Sequence, residues 1–177
     1  EHKAALTRKL LNRNHTVTVV KNGPEGRYMA ASFSVSHPYF KELKRWCYPG
    51  GSKTFTMMVL KMLTPEGIAI WYMDDGSARV NLNKDGLVSS VATDIATMCS
   101  EAEAHTIKEY FLYEHGINFN VRCRKSSHPE KAFYVQANTE GSKDFAFLIR
   151  PWVIPSMMYK LRHVADLGLH EPRAPIE

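Results

Sequence analysis

The stretch Thr64-Pro65-Glu66-Gly67-Ile68-Ala69-Ile70-Trp71-Tyr72-Met73-Asp74-Asp75-Gly76 decides how this sequence folds. Thr64 is a favoured helix N-cap, and Pro65 suits the first helical position, where a missing N–H costs nothing. The run continues apolar from Ile68 to Met73 and closes on two carboxylates and a glycine. Taken alone, Asp74-Asp75-Gly76 reads as a helix-ending turn. Downstream come a strand over Ala78 to Asn83, a hairpin turn at Asp85-Gly86 and a return strand from Leu87 to Ala92.

Working outward, Ser100 with Glu103 three residues on forms a capping-box pattern. Ile107, Tyr110, Phe111 and His115 follow before Gly116 stops that helix. Ile117 to Arg124 alternates, with Phe119, Val121 and Cys123 inward and Asn118, Asn120, Arg122 and Arg124 outward. Ser126 to Glu130 is a turn, Ala132 to Ala137 the returning strand, and Lys143 to Ile149 a helix that ends at Pro151.

The first half shows the same order. Ala5, Leu6, Leu10 and Leu11 recur at helical spacing, and a polar break at residues 12–14 leads into a strand over Thr16 to Val20. A turn at Asn22 to Gly26 precedes an alternating strand, Tyr28 to Val35, which completes a hairpin. A helix starting near Pro38 carries the apolar stripe Tyr39, Phe40, Leu43 and Trp46 and stops at Pro49-Gly50-Gly51. The halves match at an offset of about one hundred residues, which reads as a pseudo-twofold repeat.

These residues carry a resemblance. Ile68 to Gly76 resembles the nine-residue LAGLIDADG motif in its LAxWxMDDG variant, and Leu148 to Leu161, ending Pro155-Ser156-Met157-Met158-Tyr159-Lys160-Leu161, resembles that family's closing segment. Phe33 to Phe40 and Lys53-Thr54 also fall where the family places similar stretches. The resemblance covers residues 1–161 and implies an α+β, pseudo-twofold LAGLIDADG homing endonuclease fold: a saddle of antiparallel strands backed by helices. It divides the chain into an incomplete first half-domain (1–62), a second half-domain (63–161) and a tail (162–177). The first half shows no counterpart of the motif, so the resemblance calls for a first-motif segment from elsewhere, on the same polypeptide or on a second chain.

The resemblance further implies Mg²⁺-dependent phosphodiester hydrolysis in double-stranded DNA, with the strand saddle lying in its major groove. Asp75 matches the metal-binding acid, and Lys53 and Lys160 match basic residues near the scissile phosphates; a lone Lys is otherwise usually a solvated side chain. The chemistry suits the residue types, since Mg²⁺ needs only one or two carboxylates and phosphate oxygens. Arg79, Asn81 and Asn83, the row Asn118, Asn120, Arg122 and Arg124, and Tyr134 and Gln136 on the paired strand form the nucleic-acid-binding set. Arg and Asn are base-reading side chains, although such a row is also the wet face of any strand. The alternative on the same scaffold is a non-cutting binder of structured RNA, an intron maturase or ribonucleoprotein component.

Bulk properties agree without deciding. The 177 residues carry a net charge of +5, which suits a polyanion and is also found on proteins with no such partner. No apolar run approaches the roughly 18 residues of a membrane span. Cys47, Cys99 and Cys123 form no CxxC pair, which argues against zinc or a disulfide framework and for buried small residues. His37, His105 and His115 read as helix-surface or half-buried positions, and the Met pairs 57–58 and 157–158 as core filler. Host element and compartment stay open among organelle, phage and other intracellular settings.

Overall fold

The computed structural model describes residues 2–11, 17–22, 28–32, 34–125 and 128–167. Most of the turn expected over Asn22 to Gly26, the polar break at 12–14, Ser126 and the last ten residues of the tail lie outside them.

Two compact units divide at Trp46 and Cys47. The first holds helix α1 (His2–Leu11), strands β1 (Thr18–Asn22) and β2 (Tyr28–Ser32), and most of helix α2 (Tyr39–Cys47). The strands pair antiparallel, Thr18 opposite Ser32 and Asn22 opposite Tyr28, giving the expected hairpin. The apolar stripe of α2 is less covered than expected. Tyr39 and Trp46 are exposed, and this nine-residue helix buries no side chain.

The second unit is a four-stranded antiparallel sheet backed by helices. In chain order it has α3 (Met57–Leu60), α4 (Pro65–Asp75), β3 (Gly76–Leu82), β4 (Val88–Cys99), α5 (Glu101–His115), β5 (Phe119–Cys123), β6 (Phe133–Ala137), α6 (Thr139–Ile149) and α7 (Arg162–Asp166). The strand order is β3-β4-β6-β5, so β5 and β3 are the edges.

Local chemistry sets the helix ends. The Thr64 hydroxyl accepts from the Gly67 N–H, and Pro65 opens α4. Both halves of the Ser100–Glu103 capping box form, and Glu103 accepts a further bond from the Phe55 N–H at 3.0 Å, tying the segment before α3 to the start of α5. Gly116 ends α5 at φ 66°, a left-handed value that favours glycine.

Register decides which side of the sheet is dry. Ala78 lies opposite Thr93, Thr93 opposite Ala137 and Ala137 opposite Phe119, so these side chains share one face. That face joins Val91, Ile95, Val135 and Phe119 to Ile68 and Tyr72 of α4, Ile107 and Phe111 of α5, and Phe145 and Ile149 of α6 in one core. Aromatic rings carry much of it: Phe111 meets Phe119 at 4.7 Å and Phe145 at 5.7 Å, and Tyr72 meets Phe145 edge-on at 5.2 Å. Such pairs add ~0.5–1.5 kcal/mol each beyond area burial.

Two sequence expectations change here. Cys123, expected inward, is exposed at the end of an edge strand, and Cys47 is half-buried; only Cys99 is fully buried. Met58 is exposed, whereas Met57, Met157 and Met158 pack partly against the core. The start of the tail is docked, for Val164 of α7 is fully buried.

Candidate functional site

The motif helix ends in an arrangement that sequence spacing does not reveal. Ile68, Ala69, Tyr72 and Met73 bury one side of α4, while Asp74 and Asp75 at its last positions are exposed. Acids at a helix C-terminus face the negative end of the macrodipole, which costs about 0.3–1 kcal/mol each. The compensating charge arrives from far along the chain. Lys160 donates from Nζ to the carbonyl oxygens of Met73 at 2.7 Å and Gly76 at 2.8 Å, with Tyr72 O farther off at 3.4 Å. The Tyr72 hydroxyl in turn donates to Lys160 O at 3.1 Å. Burial pulls the Lys160 ammonium below the usual lysine range, and the nearby carboxylates of Asp74 and Asp75 partly restore it.

Gly76 is required at this junction by space. Its φ of −87° is ordinary, but a Cβ there would land on the Tyr72 ring and 2.5 Å from the Tyr72 carbonyl oxygen. The close passage lets β3 leave the helix end directly, so exposed Asp75 immediately precedes the strand.

Lys53 is placed differently. It is exposed, with Nζ 4.6 Å above the Phe55 ring. Phe55 stacks on Trp71 of α4 at 5.6 Å, and Trp71 on Phe111 at 6.2 Å. Lys53 is thus linked to the motif helix through a ring stack, while Lys160 is hydrogen-bonded to the helix end itself.

The second face of the sheet gathers most of the expected binding residues. Ser77 lies opposite Asp94, Asp94 opposite Gln136 and Gln136 opposite Asn120, which puts these and Arg79, Asn81, Tyr134 and Arg122 on one side. Arg79 Nη2 lies 2.7 Å from Asp94 Oδ2 and donates to the Tyr134 hydroxyl at 3.0 Å. Gln136 Nε2 donates to Asp94 Oδ1 at 2.7 Å, and Arg122 Nε donates to Gln136 Oε1 at 3.1 Å. The Arg124 guanidinium covers the Tyr134 ring at 4.7 Å, leaving that ring largely buried.

The remaining members behave as their positions dictate. Asn81 donates across the strand pair to Ser90 Oγ at 2.9 Å. Asn83 lies just past β3, and its Oδ1 accepts from the Asp85 and Leu87 N–H groups, so that oxygen holds the hairpin turn. Asn118 and Asn120 are exposed. Asp94 was not anticipated. Its signal in the sequence is a lone carboxylate in the strand run Val91-Ala92-Thr93-Asp94-Ile95, since a charge in such a run needs a partner.

Among the described residues no group of three or more His, Cys, Asp or Glu side chains is placed to hold a metal. The hard oxygen donors at the end of α4 are the exposed carboxylate of Asp75 and its neighbour Asp74.

The model of the LAGLIDADG DNA endonuclease family matches residues 1–145. Protein RecA of Mycobacterium leprae (strain TN) is 35% identical over 161 residues, which are 87% of this chain and 22% of that protein. Protein RecA of Mycobacterium shimoidei is 37% identical over 131 residues, 70% of this chain and 30% of that protein. This chain therefore spans about a third or less of the length of these curated relatives. A probable intron-encoded DNA endonuclease 3 of Mycosarcoma maydis is 30% identical over 103 residues, 58% of this chain and 67% of that protein. Among solved structures, the homing endonuclease I-WcaI bound to its DNA recognition sequence matches with a TM-score of 0.66 at 16% identity, over 90% of this chain and 70% of that chain. That likeness is one of fold.

Proposed function

This chain belongs to the LAGLIDADG DNA endonuclease family, and from that premise we propose that it grips duplex DNA on the polar face of its sheet and hydrolyses a phosphodiester with Mg²⁺ at Asp75. The observation that carries this reading is the junction at Gly76. The acid end of α4 runs without a loop into β3, whose Ser77, Arg79 and Asn81 lie on the polar face. An acid at the edge of a surface bearing Arg79, Arg122 and Arg124 is suited to meet a phosphate held there by those cations.

The residues present fit the ion. Mg²⁺ is a hard cation that keeps several waters and takes one or two carboxylates, and Asp75, with Asp74 beside it, offers that donor type in an exposed position. When bound, the ion supplies an activated water and neutralises the leaving oxygen. Asp75 holds that position. Lys160 fixes the helix end and places a positive charge beside the acids, and Lys53 is the second cation, mounted on the Phe55–Trp71 stack. Cutting both strands takes a second acid from a second motif helix, whether of the same polypeptide or of another chain.

The test is cleavage of a supercoiled plasmid library with and without Mg²⁺, comparing this chain with Asp75→Asn. Metal-dependent nicking that vanishes in the variant supports the reading. A folded chain that nicks nothing, and holds structured RNA in preference to duplex DNA, overturns it in favour of the RNA-binding alternative.

A further inference from the structure

Asp94 is a charged residue on the polar face for which neither the motif nor the family reading supplies a role. Its carboxylate is nearly buried, with 7% of the side chain exposed, against 58% for Arg79. A carboxylate on a surface that meets phosphates works against binding unless its charge is neutralised and put to use. Here both oxygens are occupied: Oδ2 by Arg79 and Oδ1 by Gln136.

The geometry of Gln136 turns that pair into a relay. A carboxylate only accepts and a guanidinium only donates, so one amide orientation satisfies both neighbours, with Nε2 on Asp94 and Oε1 on Arg122. One N–H and one oxygen lone pair of the amide are thereby used within the sheet, which fixes its plane. Arg122 is held by its Nε alone. Its Nη1 and Nη2 make no hydrogen bond within the protein among the described residues and form the fork that matches guanine O6 and N7. Arg79 differs, because its Nη2 is spent on Asp94 and Tyr134.

We propose that Asp94 is a positioning residue which, through Gln136, braces Arg122 from behind and makes it the reader of a guanine in the target duplex. This rests on the DNA-binding reading above and assigns one position of specificity within it. Asp94 itself touches no base. It fixes the amide, the amide fixes the guanidinium plane, and a fixed plane discriminates bases better than a free one because it cannot adapt to a wrong base and loses less side-chain freedom on binding. Asp94→Asn keeps the shape but removes the directionality: an asparagine can accept from or donate to Gln136, so the amide no longer has one orientation, and Arg79 loses its counter-charge.

The experiment selects bound sequences from a randomised duplex DNA library with the full chain, Asp94→Asn, Gln136→Leu and Arg122→Lys, at one fixed salt concentration. The wild-type chain is expected to enrich a sequence with a guanine that Arg122→Lys no longer prefers, the preference being roughly 10- to 100-fold for a bidentate contact. Asp94→Asn and Gln136→Leu should flatten that same position several-fold. Non-specific affinity should rise in Asp94→Asn, which carries one negative charge fewer. A merely structural role would lower all affinities together with the unfolding temperature. Should Asp94→Asn fail to fold, Gln136→Leu decides, since it leaves the Arg79–Asp94 pair in place. An unchanged guanine preference in folded Gln136→Leu or Asp94→Asn overturns the inference while leaving DNA binding intact. If the wild-type chain enriches no duplex sequence, the DNA-binding reading falls and this inference falls with it.

Discussion

The Lys160 ammonium lies 2.8 Å from the carbonyl oxygen of Gly76, 84 residues away in sequence, and 2.7 Å from that of Met73. One side chain thus caps the end of the motif helix, anchors the first residue of β3 and stands beside two carboxylates. Charge-assisted hydrogen bonds of this kind contribute about 1.5–3 kcal/mol each. Lys160→Met is expected to lower stability by about 2–3 kcal/mol in urea unfolding and to abolish any metal-dependent nicking. Lys160→Arg, which cannot fit three carbonyls as a point donor does, should recover less than half the lost stability.

Asp75→Asn separates chemistry from folding. The acid is exposed at the unfavourable end of the α4 dipole, so neutralising it should leave the melting temperature unchanged or raise stability by about 0.3–1 kcal/mol. Nicking in Mg²⁺ should disappear. A clear fall in melting temperature would mean that Asp75 has a structural role instead.

Gly76→Ala tests the helix-to-strand junction. The added methyl would meet the buried Tyr72 ring and backbone, and overpacking of this kind costs about 1–3 kcal/mol. Thermal unfolding should register that loss. Near-UV circular dichroism should report a displaced tyrosine even where the variant still folds.

Alkaline pH should unfold the second unit early. Burial raises the Cys99 thiol from 9.0 to about 11 and the Tyr110 hydroxyl from 10.0 to about 12, and raises the Tyr72 hydroxyl as well. Each ionises first in the unfolded chain, so its contribution is complete below the unfolded value and is lost as pH rises toward the folded one. Lys160, lowered by burial, works in the opposite sense just below 10.5. With three groups against one, urea midpoints should fall between about pH 8 and about pH 11. Cys99→Ala should remove the earliest part of that decline.

Much of the local structure was legible from residue order. The Thr64 cap, the Ser100–Glu103 capping box, the Gly116 stop, the Asp85-Gly86 turn and the alternation from Asn118 to Arg122 depend on contacts within a few residues, and each appears where the sequence places it. The acid pair at the end of an apolar helix is local too, and so was readable as a candidate site together with its family resemblance. What covers a side chain was not: Met58 is exposed although it sits in an apolar run, and Cys123 is exposed although the strand alternation points it inward.

The relations between distant segments came only from the folded chain. Lys160 is one basic residue among 23 in sequence, and nothing near it predicts that it would bond the carbonyls of Met73 and Gly76. Asp94 and Gln136 become a brace for Arg122 only once β4, β6 and β5 pair in one register, for a slip of one residue would send each to the opposite face. Sequence determined which elements form and what chemistry they carry, because propensity and capping act over one or two turns. Tertiary structure decided which charges meet, because that depends on the register and packing of the whole sheet.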